Sequence, residues 1–571
     1  MSLLNKTDKE LLFIYNKHRD IVKKADKEVK RNWEWFYQMY IGNHWKNQDP
    51  NNPRPVTNFC RAALRGQVAL LTDNKPQISA LPIDKKQDTE KAALAKRIFD
   101  NVWDKYDCHQ RVSEVLYDAG VFGTGFWKVL WNGKTAQIEI IPSEFISIDP
   151  FCSDISKAQV ILQEQPMPLA TVKSLLKGSK TARWGEIDML KGDPSYNFEI
   201  NRHALNNTTS NSDSQTFYSN TEGTAVAQTG MASNKNWIRE DSIGINTVYS
   251  EMWIWDEDLE DYVVLTVAEQ RVIDIKQNPL RKQKIKRSPF VPFYNYKDSN
   301  MVWGKSEIED IGGLNRDYNI LKATILDHIR LVGNTPWIID ANSGVDPDNL
   351  HNAEAIIITK NPGTEVRRDP PPPMSSDAFR LLSELKFEIE TITGVREVMQ
   401  GQRPSGITAG IAIAELQEAA QVPIREKARR LQSSLNYAAK LIWDILNEFY
   451  TEKMIIRIIE GSEIKFEEIP SDMFAGEYDV YFDVESGFGQ TRSAKVDKAM
   501  KLYSMQLTDR RGVLEAIGDP DREEVMRRMA ITEGAIQLRE GIKSGAINPN
   551  DLSGQMGGDN SPIVSPPTGS A

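Results

Sequence analysis

The sequence predicts a multidomain α+β protein. A chain of 571 residues exceeds the size at which one hydrophobic core keeps growing, so we expect two or more packed units. Helical periodicity of apolar residues alternates along the chain with short strand-like runs. Hydrophobic residues make up 40% and charged residues 26% of the chain, which is typical of folded globular domains with sizeable cores.

The N-terminal half mixes helices and strands. Apolar residues recur every three or four positions from Leu11 to Tyr40, which predicts one long amphipathic helix over 8–41. A second helix is predicted over 57–71, with Thr57 as its candidate cap. The other elements predicted before residue 303 are helices at 89–106 and 168–176 and strands at 75–81, 126–131, 137–140, 144–148, 158–163, 245–255, 262–268, 271–275 and 290–294.

Two segments have too few apolar residues to order themselves. The stretch 178–241 is polar, and its part 206–233 is rich in Asn, Ser, Thr and Gly; the C-terminal 544–571 is rich in Gly, Ser and Pro. Such compositions cannot bury enough apolar surface to offset the entropy lost on ordering. We expect 178–241 to be a mobile insertion and 544–571 a disordered tail.

The order of elements after residue 304 predicts a stalk with a small head. A helix at 304–332 is followed by a compact region, 333–375, that ends in a proline run, and helix returns at 376–393. Each helix has an apolar face wide enough to pack on a partner, so copies of the chain lying side by side would bury these faces. A helical hairpin inside one large domain is the alternative.

The longest helical pattern of the chain follows a polar, glycine-rich segment at 400–410. Pro423 lies inside that pattern, where proline removes a backbone hydrogen bond, so we expect a bend or break near 419–423. The remaining predicted elements are strands at 336–340, 355–359, 454–459, 463–466 and 478–484 and helices at 493–507, 511–517 and 522–540.

The chain lacks the short motifs by which many enzymes bind phosphate or zinc. G-x-x-x-x-G-K-[ST], G-x-G-x-x-G and H-E-x-x-H are missing, and the six histidines include no pair at helical ligand spacing. Three sparse cysteines, interpreted as free thiols, have no metal-ligand spacing. The acidic run Glu307, Glu309 and Asp310 is interpreted as a solvated helix face. We therefore predict no catalytic residue, no metal and no cofactor.

Charge and hydropathy also limit the candidate functions. The formal net charge of −10 argues against tight, sequence-independent binding of nucleic acid, which depends on Lys and Arg neutralising phosphates. An acidic surface that repels a polyanion suits a conduit for DNA. No stretch approaches the roughly 20 apolar residues of a membrane-spanning helix, and residues 1–20 do not resemble a signal peptide, so we expect assembly in the cytoplasm.

Three segments resemble those of one viral family. They are 120–129 (GVFGTGFWKV), 304–320 (GKSEIEDIGGLNRDYNI) and 392–418 (ITGVREVMQGQRPSGITAGIAIAELQE). In order and spacing they are similar to the portal proteins, or head-to-tail connectors, of tailed bacteriophages. The resemblance implies a non-enzymatic subunit of a dodecameric ring at one capsid vertex of the virion. That ring would be the channel for packaging and ejection of double-stranded DNA, which it binds weakly.

The resemblance also implies partners and parts. The expected partners are further copies of the chain, terminase, tail or adaptor proteins, and major capsid and scaffolding proteins, with no membrane. The implied parts are an α/β wing (1–303), the helix leading from wing to stem and the first stem helix (304–332), a clip (333–375), a second stem helix (376–394), a tunnel loop (395–410), a long kinked wing helix (411–453), wing strands (454–490), crown helices (491–543) and the tail (544–571).

Candidate site residues follow from this assignment. Arg367 and Arg368 in the clip are the candidate contacts for terminase or adaptor, although solvated charge is their ordinary interpretation. Pro423 is the candidate helix kink. The candidate DNA-facing residues of the tunnel loop, which could instead be an ordinary surface turn, are Gln400, Gln402, Arg403, Pro404 and Ser405. Two rival functions remain open: another ring-forming phage protein such as a head-tail adaptor, and a metal-dependent enzyme acting on nucleic acid.

Overall fold

The chain divides into two units, which are described separately: 1–456 with 468–488, and 457–467 with 489–571. The computed structural model describes residues 2–45, 54–72, 77–82, 89–133, 135–192, 246–280, 287–333, 337–340, 342, 366–368, 373–394, 422–449, 454–460, 463–469, 478–483, 492–506, 508–517, 525–529 and 532. Helices and strands are both abundant, so the α+β prediction is confirmed.

The helices and strands have the following bounds. The helices are α1 (Asp8–Val29), α2 (Trp33–Ile41), α3 (Phe59–Thr72), α4 (Thr89–Lys105), α5 (Cys108–Phe122), α6 (Leu169–Leu176), α7 (Trp184–Ile187), α8 (Glu307–Gly333), α9 (Ser376–Thr393), α10 (Val422–Phe449), α11 (Arg492–Ser504) and α12 (Arg510–Ile517). The strands are β1 (Gln77–Pro82), β2 (Thr124–Trp131), β3 (Ala136–Ile141), β4 (Ile146–Ile148), β5 (Val160–Pro168), β6 (Asn246–Asp256), β7 (Asp261–Ala268), β8 (Arg271–Gln277), β9 (Phe290–Tyr294), β10 (Tyr296–Lys297), β11 (Gly304–Lys305), β12 (Trp337–Ile339), β13 (Val366–Arg368), β14 (Met454–Glu460), β15 (Glu463–Ile469) and β16 (Tyr478–Asp483).

A five-stranded antiparallel sheet, in the order β4-β5-β6-β7-β8, forms one side of the first unit. Every residue of β7 is buried, and alternate residues face opposite sides of the sheet, as the two-residue period of a strand requires. Val263, Leu265 and Val267 pack with Leu11 and Val22 of α1. The other face of β7 supplies its alternate apolar residues to the main core of the unit.

The main core of the unit lies where a second sheet meets four helices. This sheet has the order β3-β2-β9, and its central strand places Phe126 against Trp303 with the rings 5.6 Å apart. Apolar side chains of α2, α3 and α5 and of the first turns of α8, including Ile308 and Ile311, complete the core. The long α10 packs on β2 and β9, where Phe449 stacks on Trp131.

Two glycines allow the start of α8 to contact the end of α5 backbone to backbone. Gly123 has a φ of 89°, in the left-handed region, and a Cβ placed on it would overlap the carbonyl of Gly304. A Cβ on Gly304 would in turn overlap the carbonyl of Gly123. The Gly304 amide donates to Thr124 Oγ1 at 2.7 Å. Segments 120–129 and 304–320, which lie far apart in the sequence, therefore meet at this point.

The N-terminal helices differ from the prediction in two ways. The single helix predicted over 8–41 is divided by a 3₁₀ turn at Lys30–Asn32, where Lys30 Nζ pairs with Asp26 and donates to the carbonyl of Glu144. Burial lowers the pKa of Lys30. The apolar period continues through one such turn, so periodicity could not reveal it. The residue that caps α3 from the preceding segment is Asn58, not Thr57, because Asn58 Oδ1 accepts from the Arg61 amide at 2.8 Å.

Two further segments were misjudged from the sequence. Helix α5 was not predicted, because the glycines at its end resemble a turn before the next strand. The segment predicted as mobile from residue 178 is ordered up to Gly192. Its Ile187 and Leu190 are buried against α6 and β8, so two apolar side chains anchor a polar stretch. Residues 193–245 lie outside the described part of the chain.

The second unit contains a helical pair. Helices α11 and α12 pack against each other, as expected for the predicted helices at 493–507 and 511–517. Residues 525–529 are also helical, within the third helix predicted at 522–540. The predicted tail at 544–571 lies outside the described residues, and its expected disorder stays a prediction.

Asp118 on α5 makes stability depend on pH. Burial, together with the carboxylates of Glu144 and Glu114, raises the pKa of Asp118 to about 7. A raised native pKa means that the folded chain keeps a proton that the unfolded chain releases near pH 4, so stability is lost as pH rises from about 4 to about 7. Asp118→Asn should remove this loss and stabilise the protein at pH 8 by on the order of 2 kcal/mol.

Chemical denaturation of the wild type, Asp118→Asn and the exposed control Asp20→Asn at pH 5 and pH 8 checks this prediction. The difference between Asp118→Asn and the wild type should grow with pH, and Asp20→Asn should follow the wild type. Equal differences at both pH values would contradict the assignment of the raised pKa to Asp118.

Candidate functional site: an uncharged stalk surface and the joint at its base

Helices α8 and α9 pack against each other and form a two-helix stalk. The small sheet of β12 and β13, in which Trp337 pairs with Arg368, lies between the two helices in the sequence and so joins them at the far end of the stalk. At the opposite end, the first residue of α8, Glu307, and the last residue of α9, Thr393, share hydrogen bonds with the same side chain, Gln67. The two helices are therefore antiparallel, as the predicted hairpin requires.

One side of α9 carries a stripe without charge. Its residues, four positions apart, are Phe379, Ser383, Phe387 and Thr391, and the two phenylalanines are 52% and 65% exposed. The hydroxyl of Ser383 donates to the carbonyl of Phe379 at 3.2 Å, and that of Thr391 donates to the carbonyl of Phe387 at 2.8 Å. Because both hydroxyl protons are used within the helix, the stripe presents aromatic surface and no free hydroxyl donor.

Exposed apolar residues also lie on the other flank of the stalk. At 100° per residue, Leu381 and Ile392 of α9 fall on roughly the opposite side of the helix from Phe379 and Phe387, with the buried Ile389 between the two flanks. Helix α8 repeats the pattern, with the exposed apolar residues Ile320, Ile329, Leu331 and Val332. Thr324 of α8 donates back to the carbonyl of Ile320 at 3.0 Å, as the hydroxyls of α9 do. The stalk thus has two apolar flanks rather than one.

A buried polar cluster, here called the joint, lies at the base of the stalk and consists of Gln67, Asn295, Glu307, Thr393 and Lys427. Lys427 Nζ donates to Glu307 Oε2 at 2.6 Å and to Gln67 Oε1 at 2.7 Å. Gln67 Nε2 donates to Glu307 Oε1 at 2.7 Å and to the Thr393 carbonyl at 2.8 Å. Asn295 Nδ2 donates to Glu307 Oε2 at 3.3 Å. The joint therefore connects α3, α8, α9 and α10.

The charges of the joint are almost fully withdrawn from water. The Glu307 side chain is 1% and the Lys427 side chain 5% exposed. Burial lowers the pKa of Lys427, although Glu307, Asp310 and Glu426 act in the opposite direction. Burial and the charge of Glu307 raise the pKa of Tyr296, whose ring lies 4.4 Å from Lys427 Nζ. An unpaired charge at this depth would be costly, so each partner of the Lys427–Glu307 pair depends on the other.

A second polar contact fixes α8 to the chain segment before α3. Asn315 Oδ1 accepts from the Phe59 amide at 3.1 Å, and Asn319 Oδ1 accepts from the Thr57 amide at 2.8 Å. Asn319 Nδ2 also lies 2.8 Å from His44 Nδ1, and burial lowers the pKa of His44. These residues occupy one face of α8 below the stalk, so the helix is held along its lower turns before it reaches the exposed stripes.

The predicted site residues are only partly described. Arg367 and Arg368 lie on β13, opposite Ile338 and Trp337 of β12. The strand predicted at 336–340 is confirmed as β12, whereas β13 was not predicted and 355–359 lies outside the described residues. Pro423 is the second residue of α10 as described. The chain before Val422 is not described, so the kink stays a prediction, as do the five tunnel-loop candidates from Gln400 to Ser405.

The joint could hardly be predicted from local patterns in the sequence. Glu307 was interpreted as part of a solvated acidic face, but it is buried, whereas its neighbours Glu309 and Asp310 are exposed. The prediction failed for Glu307 because a charge can be buried when its partner comes from a distant part of the chain. Lys427 lies 120 positions away. The one available signal was that Glu307 directly precedes the buried Ile308 on the apolar face of α8.

The family of the chain follows from its sequence as a whole. A model of the phage P22-like portal proteins matches residues 36–539, which include α3, the stalk and the joint. The chain belongs to this portal protein family. A search of curated proteins finds no match to the chain. Portal proteins of this family are structural components of the virion capsid rather than enzymes.

The described residues form neither a metal-binding cluster nor a membrane-spanning helix. No cluster of three or more His, Cys, Asp or Glu side chains with metal-binding geometry occurs in that part of the portal chain. None of its described helices has both the length and the apolar content needed to cross a membrane.

Proposed function

We propose that the chain forms a portal ring of about twelve copies at one capsid vertex, with the stalks side by side around a central channel. The family match supports the portal role, and the two apolar flanks of the stalk support the ring. A cyclic ring uses two different surfaces of each copy, one for each neighbour, whereas a two-fold dimer uses a single surface twice. Two apolar flanks on one stalk fit the ring.

The channel would pass the genome inward during packaging and outward during ejection. The net charge of −10 per chain favours a conduit that repels DNA over one that holds it, since tight non-specific binding depends on cationic side chains. A separate terminase would supply the energy from ATP. We assign no catalytic residue, metal or cofactor to the portal chain itself.

The parts of the chain take their proposed roles from the family. The stalk corresponds to the stem, the region 333–375 to the clip that docks terminase and adaptor or tail proteins, and 395–410 to the tunnel loop. Residues 1–303 with 454–490 would form the wing, 411–453 its long helix, and 491–543 the crown. Major capsid and scaffolding proteins would contact the ring during assembly in the host cytoplasm.

The first test concerns the stalk surface. Phe379→Ser with Phe387→Ser should reduce the population of rings at least tenfold at equal concentration, because it removes two exposed aromatic side chains from one proposed contact. Native mass spectrometry of the full chain measures the copy number. Phe13→Ser is the matched control, since Phe13 is 70% exposed but lies between Lys9 and Lys17 on a charged face of α1.

The copy number of the wild type tests the ring as directly as that of the double variant. The wild type and Phe13→Ser should both give rings of about twelve copies. If the wild type gave only monomers and dimers over a range of salt and protein concentrations, the ring would have to be abandoned. Rings that persist undiminished in the double variant would instead place the subunit contact elsewhere on the chain.

The second test concerns the proposed clip. Arg367→Ala with Arg368→Ala should weaken docking of terminase to the assembled ring by about tenfold, because the two adjacent cations lie on the strand β13 at the far end of the stalk. Binding of purified terminase to immobilised rings measures this. Docking and DNA packaging at wild-type levels would show that the two arginines are ordinary solvated charges.

The third test concerns the proposed tunnel loop. Arg403→Glu should reduce DNA packaging or retention several-fold without affecting ring assembly, because a circle of arginines would contact phosphates transiently inside an acidic channel. The DNA content of purified capsids and the copy number of the rings are the two measurements. Normal packaging and retention of full-length DNA by this variant would remove Arg403 from the channel.

A further inference from the structure

The Lys427 cluster has a close chemical counterpart elsewhere in the same unit. Lys128 Nζ donates to Glu251 Oε1 and to Gln163 Oε1, each at 2.7 Å, and lies 5.4 Å from the ring of Phe290. Lys427 likewise donates to a glutamate and a glutamine and lies over an aromatic ring. Both clusters are buried. Any difference in their roles must therefore come from the elements that they connect.

The Lys128 cluster connects strands that other contacts already hold. Gln163 and Glu251 are direct partners in the pairing of β5 with β6, and Lys128 belongs to β2, the central strand of the adjacent sheet. The cluster therefore reinforces an interface between two hydrogen-bonded sheets, where the backbone register is set independently of Lys128.

The joint connects helix ends. Gln67 reaches the carbonyl of Thr393, the last residue of α9, and Lys427 lies near the start of the described part of α10. The chain leaves the stalk at Gly394 and returns at Val422, so both ends of the intervening segment 395–421 are fixed next to the same ion pair. Backbone pairing sets the register of the strands around Lys128, but α9 and α10 have no such pairing, so side chains determine their relative position.

An ion pair is not required here for stability. Removing two charges from water carries a desolvation cost, and well-packed apolar residues of similar size often stabilise a fold as well or better. A directional network instead allows few relative orientations, because each of its hydrogen bonds weakens steeply when the helices shift or turn. The joint is therefore better suited to set the relative orientation of α9 and α10 than to stabilise their packing.

We propose that Gln67, Glu307 and Lys427 are positioning residues that keep the end of α9 and the start of α10 in one fixed arrangement, and that DNA transport through the ring requires this arrangement. The inference rests on the proposed portal function and adds to it a specific mechanical requirement. The three residues are buried within the chain and act through the two helices between which the segment 395–421 runs.

The test compares matched changes in the two clusters of the full chain. Gln67→Met keeps the Lys427–Glu307 pair and nearly the same side-chain volume but removes the hydrogen bonds of Gln67 with Thr393, Glu307 and Lys427. Gln163→Met is the corresponding change in the other cluster, where it removes the bond from Lys128. Capsids assembled with each variant are purified, and their DNA content, ring copy number and thermal unfolding midpoint are measured. Gln67→Met should lower the DNA content at least tenfold, and Gln163→Met less than twofold.

A second pair of variants replaces the charges. Lys427→Met with Glu307→Leu should leave rings that unfold near the wild-type midpoint but contain at least tenfold less DNA, whereas Lys128→Met with Glu251→Leu should package like the wild type. Faster deuterium exchange in the last turn of α9, without a change of midpoint, would show that the arrangement has loosened rather than the fold. If the joint double variant does not assemble, Gln67→Met decides alone.

The outcomes separate this inference from the proposed function. Normal DNA content in Gln67→Met capsids overturns the positioning role, and so does a loss of DNA of equal size in the Gln163→Met control. A loss of DNA that only accompanies a lower unfolding midpoint would reduce the joint to a structural contact. If capsids with wild-type rings do not fill with DNA, the portal function itself fails, whichever result the variants give.

Discussion

The contact between the backbones at Gly123 and Gly304 is the constraint on which the position of the stalk depends. Neither residue tolerates a Cβ atom, because each carbonyl occupies the space that the other side chain would need. The contact starts α8 beside the end of α5, where Ser306 Oγ donates to the carbonyl of Val121 at 2.7 Å. With its first turn fixed there, Glu307 enters the core and the rest of α8 projects as a stalk.

The burial of polar and apolar side chains changes along α8. Near its base, Asn315 and Asn319 are fully buried and satisfy backbone groups of residues 57–60, whereas Ile329, Leu331 and Val332 near its far end are exposed. Besides its buried apolar residues, α8 thus buries two asparagines at its base and exposes three large apolar side chains at its far end. Buried asparagines fix α8 to its own chain, and the exposed apolar residues leave surface for another copy.

Much of the fold follows from local signals in the sequence. Strands β6 to β8 are rich in β-branched and aromatic residues, helices α8 to α10 have 3.6-residue periods, and all were predicted. The errors occur where a distant residue decides the outcome. Asn58 rather than Thr57 caps α3, while Asn315, which also serves the first turn of α3, lies 256 positions away. Ile187 and Leu190 order a polar stretch because α6 and β8 provide a surface for them.

The stalk surface could be predicted because it, too, depends on a local signal in the sequence. Exposed apolar stripes are a property of one helix and its period, so the stalk surface could be predicted, although the hydroxyls that bond back along α9 refine it. The joint depends on Gln67, Glu307 and Lys427 meeting across more than 350 positions of sequence. A single sequence contains no signal that predicts a contact between residues so far apart. Buried polar clusters between distant helices, which fix geometry, are therefore the features that the structure adds to what periodicity and motifs predict.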